Sequence, residues 1–288
     1  MTTVKTISVI GAGTMGNGIA QVAAMAGFET MIFDVQPPAL DKAMAAITRN
    51  LDKGIELGKI SSAQKQDCLA RLHTESVLQN AARRSDFVIE AAPEKITLKI
   101  ELFAALDDAC PPHAILATNT SSLSITEIAA ATRRPSKCIG MHFFNPVHKM
   151  KLVEIVRALE TDEPTIRTTQ AVAHEMGKEI VTIRESPGFI TSRINAMIGN
   201  EAFALLQEGV ASARDIDTAL KLGLNHPMGP FEMIDLVGLD TRLSILEYLH
   251  KSLGEKYKPN PLLVQYVKAG RLGKKVGKGV YDYTDDAK

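Results

Sequence analysis

Neither sign of charge is in excess: 33 Lys and Arg balance 33 Asp and Glu, for a formal net charge of +0. A chain without a global field has no long-range attraction for nucleic acid or for an anionic membrane surface. No apolar run approaches membrane length, and the five residues ahead of the first strand are too few for a targeting segment. Cysteine is scarce as well. Cys68, Cys110 and Cys138 are odd in number and lack metal-type spacing, so no metal is expected and the thiols read as free, in a reducing compartment. These absences leave a cytoplasmic globular protein, 45% hydrophobic and 23% charged, whose 288 residues suggest two domains.

What is present first is a glycine loop in a telling place. Thr6–Ile10 is a β-branched run read as a buried strand. It leads into Gly11-Ala-Gly13-Thr14-Met15-Gly16, then a helix over 17–26 and a strand over 28–33 closed by Asp34. GxGxxG alone is weak. Between a strand and a helix, with an acid 23 residues beyond Gly11, it is a dinucleotide fingerprint. Gly11 permits the tight turn, Gly13 lets the backbone approach a pyrophosphate, and Gly16 allows close helix–strand packing. The helix N-terminus supplies amide donors. Asp34 would accept from the ribose hydroxyls and repel a 2′-phosphate, favouring NAD over NADP.

Alternation then continues. Helices are expected over 38–57 and 61–72, the second capped by Ser62, as an arm longer than a crossover requires. Lys42, Lys53, Lys59 and Lys65 on it read as solvated charge. Strands over 86–91, 114–118 and 138–142 alternate with helices over 95–109 and 125–131. This is an α/β pattern, a doubly wound parallel sheet with its ligand crevice at the strand C-termini. Glu94, Asn119, Ser121 and His142 stand at that rim, though Asn119 and Ser122 could equally be turn formers.

His142 ends its strand, and Glu154 lies in a second one, Leu152-Val-Glu-Ile-Val156, beyond the Asn145-Pro146 turn. If the two strands pair, Glu154 can hold one imidazole nitrogen and leave proton transfer to the other. The plainer reading is a core histidine beside an exposed strand glutamate. After a last strand over 180–183, Ser186-Pro-Gly-Phe189 marks a change to helices over 189–207, 212–222, 240–251 and 261–268. The cut falls near 184, giving a dinucleotide-binding domain over 1–184 and a helical substrate and dimerisation domain over 185–288. The basic, glycine-punctuated stretch 267–283 is either a solvated loop or a flexible segment near phosphates. A small helical domain with apolar faces suggests a homodimer of C2 symmetry.

These residues resemble the short-chain 3-hydroxyacyl-CoA dehydrogenases. The resemblance is carried by Gly11-Ala-Gly-Thr-Met-Gly16, Glu90-Ala-Ala-Pro-Glu94, Thr118-Asn-Thr-Ser-Ser-Leu123, His142-Phe-Phe-Asn-Pro146, Leu152-Val-Glu154 and Pro187-Gly-Phe-Ile190. His226-Pro-Met-Gly-Pro-Phe-Glu232, Asp235-Leu-Val-Gly-Leu-Asp240 and Gly273-Lys-Lys-Val-Gly-Lys-Gly279 complete it, in family order over nearly the whole chain. It implies NAD as cofactor and an acyl-CoA substrate oxidised at its 3-hydroxyl. It implies His142 as base, Glu154 as its orienting carboxylate, and Ser121 as hydrogen-bond partner of the substrate's 3-oxygen. Asp34, Glu94, Lys99, Asn119, Ser121, Asn145 and Lys275 would serve the cofactor, and Asn50 and Lys53 the CoA portion. One departure stands out. The family's Pro-Gly-Phe-Ile-x-Asn-Arg reads Pro187-Gly-Phe-Ile-Thr-Ser-Arg193 here, so Ser192, or Asn195 one turn on, would take the asparagine's substrate role.

Two rivals remain in view. Two-domain 3-hydroxyacid dehydrogenases of the 3-hydroxyisobutyrate or 6-phosphogluconate type use a lysine base, where this chain offers a His/Glu pair. A crystallin-like NAD-binding protein that has kept only the fold is the non-catalytic alternative.

Overall fold

The computed structural model describes residues 3–283; residues 1 and 2 of the short N-terminal segment and residues 284–288 lie outside it. The chain separates into two compact units, 1–186 and 187–288.

Unit 1 is built on eight strands: β1 Thr6–Ile10, β2 Glu29–Phe33, β3 Leu72–Glu75, β4 Phe87–Glu90, β5 Ile115–Thr118, β6 Cys138–Phe143, β7 Leu152–Arg157 and β8 Glu179–Arg184. They lie in the order β3-β2-β1-β4-β5-β6-β7-β8. Its helices are α1 Thr14–Met25, α2 Pro37–Glu56, α3 Ser62–Ala70, α4 Leu78–Ala82, α5 Ile96–Ala109, α6 Ile125–Ala129 and α7 Glu163–Glu175. Successive strand residues face opposite sides, so each strand feeds two cores. Ile7, Val9, Ile32, Phe87 and Ile89 pack with α1, α2 and α7. Ile10, Phe33, Val88 and Leu116 pack with Phe103 and Leu106 of α5 and Ile128 of α6. The strand order reverses between β1 and β4, which opens a crevice at their C-terminal ends.

The parallel sheet expected from alternation holds through β6 and then changes. β7 runs antiparallel to β6, and β8 parallel to β7. The β6–β7 connection is a short turn, too brief for the crossover that a parallel pair needs. Gly140 of β6 sits where a Cβ would run into Ile125 and Val156, so helix and strand press directly on the backbone there.

Several local expectations shift. The cap of α3 is Ser61 rather than Ser62: its hydroxyl accepts the Gln64 N–H at 3.2 Å, and Gln64 Oε1 accepts the Ser61 N–H at 2.8 Å. Residues 71 and 72 leave that helix, since Leu72 opens β3. β3, α4 and α7 escaped the sequence reading; β3 is a short edge strand in which only Leu72 is buried, too little for a period-two signal. Leu40, Ala43, Ile47 and Leu51 make the buried stripe of α2, so the inner face of the arm is core. The three thiols are free and buried, and burial pushes each up to about 11.

Unit 2 holds α8 Thr191–Gln207, α9 Ala213–Gly223, α10 Pro230–Val237, α11 Leu239–Leu253 and α12 Pro261–Lys268 around Phe203, Phe231, Leu246, Leu249 and Leu263. Phe203 and Phe231 meet edge to face with centroids 5.2 Å apart. The basic tail is not a loose loop. Asp235 of α10 accepts the N–H groups of Val280 at 2.8 Å and Tyr281 at 2.9 Å, and the Tyr283 hydroxyl at 2.9 Å. Asp217 of α9 accepts the Tyr281 hydroxyl at 2.7 Å. A Cβ at Gly273 or Gly279 would strike Asp235 itself, which is why the tail lies so close.

Candidate active site

The glycine loop runs from the end of β1 into α1. Gly11 has φ +111°, a conformation L side chains rarely adopt, and a Cβ there would come within 2.7 Å of the Ala91 carbonyl oxygen. A Cβ on Gly16 would collide with the Gly11 carbonyl. Gly13 differs: a Cβ would meet nothing within 4 Å, so its missing side chain serves whatever lies on the open side of the loop. Asp34, just past β2, accepts the N–H of Ala12 and of Gln36, both at 3.0 Å, tying the loop to the strand end. Gly11, Gly13, Thr14, Met15 and Asp34 line one cavity of about 510 Å³ with Val35, Ala91, Pro93 and Leu98. That size suits an organic cofactor. Apolar walls for a flat base, open amides for phosphates and a carboxylate for hydroxyls fit a dinucleotide without a 2′-phosphate.

Next to that cavity stands a buried charge network. Glu90 ends β4 and is 0% exposed; Lys99 of α5 is 1% exposed. The Lys99 ammonium lies 2.7 and 2.9 Å from the two Glu90 oxygens, 3.2 Å from the Ala92 carbonyl and 3.5 Å from Glu94. Lys99, expected from the resemblance to touch cofactor, is thus enclosed, its three protons fully engaged by protein acceptors. Glu94 Oε1 accepts the Thr120 hydroxyl at 2.5 Å, the Ser121 N–H at 3.0 Å and the Ser121 hydroxyl at 3.3 Å. Asn119 Oδ1 accepts the Phe143 N–H at 2.8 Å and clasps the ends of β5 and β6 together.

The β6–β7 register puts His142 directly opposite Glu154. Nδ1 of the imidazole lies 2.8 Å from Glu154 Oε2, with the histidine 7% and the glutamate 1% exposed. A carboxylate at Nδ1 fixes the tautomer, so proton exchange falls to Nε2. The Phe144 ring, centroid 4.5 Å away, backs the imidazole. Asn145 follows in the exposed turn.

The remaining expected residues are spread out. Asn50 donates to Gln21 Oε1 at 3.2 Å and lines a separate cavity of about 290 Å³ with Lys59 and His148. Lys53 is paired instead with Glu56 at 2.8 Å, both side chains exposed. Burial, then the Lys149, Lys178 and Lys59 charges, hold the His148 imidazole below its ordinary value. In unit 2, Ser192 and Asn195 lie on the first turns of α8, and Lys275 is ion-paired with Asp240 at 2.6 Å. Sequence reasoning passed over Glu90, Thr120 and His148. Glu90 carried the same signal as Glu154, a carboxylate inside an apolar strand.

Known proteins match this arrangement along the whole chain. Residues 6–186 fit the family model of the 3-hydroxyacyl-CoA dehydrogenase NAD binding domain, and residues 188–283 that of the 3-hydroxyacyl-CoA dehydrogenase C-terminal domain. The chain belongs to the 3-hydroxyacyl-CoA dehydrogenase family. It is 49% identical over 283 residues to a Bacillus subtilis protein named "Probable 3-hydroxybutyryl-CoA dehydrogenase", covering 98% of each. It is 40% identical to the 3-hydroxyadipyl-CoA dehydrogenase of Escherichia coli, over 98% of this chain and 60% of that one. The crystal structure of (S)-3-hydroxybutyryl-CoA dehydrogenase from Ralstonia eutropha superposes with TM-score 0.95 at 42% identity, covering 98% of this chain and 100% of that one.

Proposed function

We propose that this chain interconverts 3-hydroxyacyl-CoA and 3-ketoacyl-CoA esters with NAD, the 3-hydroxybutyryl-CoA and acetoacetyl-CoA pair being its substrates. The observation that carries the reading is the His142–Glu154 pair at the C-terminal edge of the sheet, 2.8 Å apart and buried. Bound NAD supplies the acceptor for the hydride leaving C3 of the hydroxyacyl group. The protein's part is alignment and the proton. In oxidation His142 takes the 3-hydroxyl proton at Nε2 while Glu154 steadies the imidazolium; in reduction the same nitrogen returns it. Ser121 donates to the 3-oxygen as charge develops there, a task worth roughly 3 kcal/mol.

Within this reading unit 1 serves the dinucleotide, and unit 2 contacts the substrate and makes the dimer. Asp34 takes the ribose; Glu94, Asn119, Asn145 and Lys275 complete the cofactor's surroundings. Asn50, with the cavity it lines beside Lys59 and His148, and Lys53 serve the CoA portion, and Ser192 or Asn195 the acyl group. Exposed Ile190 and Ile194 at the start of α8 and Leu222 and Leu224 at the end of α9 form apolar surface for a second copy of the chain. Among the described residues no helix is long and apolar enough to cross a membrane, and a cytoplasmic location accords with the free thiols. The test is acetoacetyl-CoA-dependent oxidation of NADH, followed by the same assay on longer 3-ketoacyl-CoA esters. Turnover highest on acetoacetyl-CoA is expected. No oxidation at any chain length would leave a binding protein that has kept the fold.

A further inference from the structure

We propose that Lys99 is a positioning residue for the catalytic hydroxyl: anchored by Glu90, it holds the Glu94 carboxylate, and Glu94 sets the hydroxyl of Ser121. The inference rests on the dehydrogenase reading above and deepens it.

The chain of contacts is continuous and lies within unit 1. Glu90, at the end of β4, is fixed from three sides. It accepts the Ala92 N–H at 2.6 Å, the Thr118 hydroxyl at 2.6 Å and the Lys99 ammonium at 2.7 and 2.9 Å. Lys99 therefore has one place to be. From there its charge reaches Glu94 Oε2 at 3.5 Å, while Oε1 of the same carboxylate collects the Thr120 hydroxyl and both Ser121 donors. One face of Glu94 is thus held by a buried cation and the other aims a serine.

The distances within that carboxylate differ in an informative way. Thr120 donates at 2.5 Å and the Ser121 N–H at 3.0 Å, but the Ser121 hydroxyl only at 3.3 Å. A hydroxyl has one proton to give, and at that distance it is loosely held. A carboxylate whose charge is already drawn by Lys99 and shared with two shorter donors competes weakly for it. The Ser121 proton can then turn to the substrate's 3-oxygen as negative charge builds there, without the serine leaving its place. With Lys99 removed, Glu94 would either swing out, leaving Ser121 unaimed, or bind the hydroxyl more strongly and keep its proton. Each outcome slows the chemical step, while the walls of the dinucleotide cavity, to which Glu94 does not belong, keep their places.

This differs from Lys99 as a cofactor contact, and kinetics separate the two. Lys99→Met leaves Glu90 buried without its cation, so the companion variant is Glu90→Gln/Lys99→Met. It removes both charges, keeps an acceptor for the Ala92 N–H and offers an amide NH2 to the Thr118 hydroxyl, which can turn to accept it. In whichever of these folds, judged by circular dichroism, steady-state reduction of acetoacetyl-CoA should show kcat about tenfold to a hundredfold lower with the KM for NADH changed less than about threefold. In a Ser121→Ala background the same change should add little, because its route is already cut. A rise in NADH KM with kcat preserved would return Lys99 to the cofactor. A full additional loss in the Ser121→Ala background would show that Lys99 does not act through the serine. A wild-type protein inactive on every 3-ketoacyl-CoA ester would sink the dehydrogenase reading itself, and this proposal with it, before any variant is made.

Discussion

Both units bury carboxylates, and they satisfy them by opposite means. In unit 1 Glu90 meets the Lys99 ammonium, Asp107 the Arg134 guanidinium and Glu154 the His142 ring, so each buried acid faces a basic side chain. In unit 2 Asp235 and Asp217, 0% and 1% exposed, are answered by backbone N–H groups and tyrosine hydroxyls. Burial is pushed in unit 2 even for a cation: Arg242 has an Nε with no hydrogen-bond partner, and burial brings its guanidinium down to about 10. The difference separates chemistry from construction. A carboxylate facing an imidazole can steady a proton in transit; one facing amides can only hold chain in place.

The largest expected effect breaks the pair in unit 1. His142→Gln keeps the approximate shape and an amide near Glu154 but offers no base. We expect kcat to fall by roughly 10²–10⁴, with NAD affinity by fluorescence titration and the thermal midpoint little changed. Near-normal turnover in that variant would move the base elsewhere and dissolve the contrast between the units.

The contrast was only half legible in the sequence. His142 and Glu154 could be read because strand alternation and a short turn fix their pairing locally. The glycine loop was legible for the same reason, since six residues carry its whole geometry. For Lys99 the resemblance implies a cofactor contact; its pairing with Glu90 comes from α5 turning back onto β4, and packing of that kind leaves no periodic trace. Asp235 and Tyr283, 48 residues apart, are less legible still. The basic stretch looked loose because its lysines are conspicuous, while the residues that tie it down are main-chain amides, present in any sequence.

Unit 2 offers the next test, in which stability moves and chemistry does not. Asp235→Ala leaves the half-buried N–H groups of Val280 and Tyr281 without the acceptor that the buried carboxylate supplies. Hydrogen bonds to a charged group contribute about 1.5–3 kcal/mol each, so a loss of about 3 kcal/mol is a modest expectation. Denaturant unfolding should show an earlier transition for the helical unit, and hydrogen exchange should speed up over residues 279–283. An unchanged midpoint would mean that Asp235 is no clamp, and that the two units bury acids for the same reason after all.

The smallest effect is a pH dependence confined to unit 2. Burial, and then the hydrogen bond to Asp235, raise the pKa of the Tyr283 hydroxyl above its ordinary value. In the unfolded chain that tyrosine ionises near pH 10. The folded form keeps its proton to higher pH, so the linked stability is complete below about pH 10 and lost as pH rises beyond it. Tyr283→Phe removes this contribution and should make the alkaline decline in urea midpoint shallower, while costing about one ordinary hydrogen bond at neutral pH. Tyr281, raised for the same reasons by burial and by Asp217, keeps its own share, so the decline should be reduced rather than abolished. Midpoints at pH 7 and at about pH 10.5 suffice to measure it. A decline as steep as the wild type's would place the alkaline sensitivity outside the Asp235 clamp.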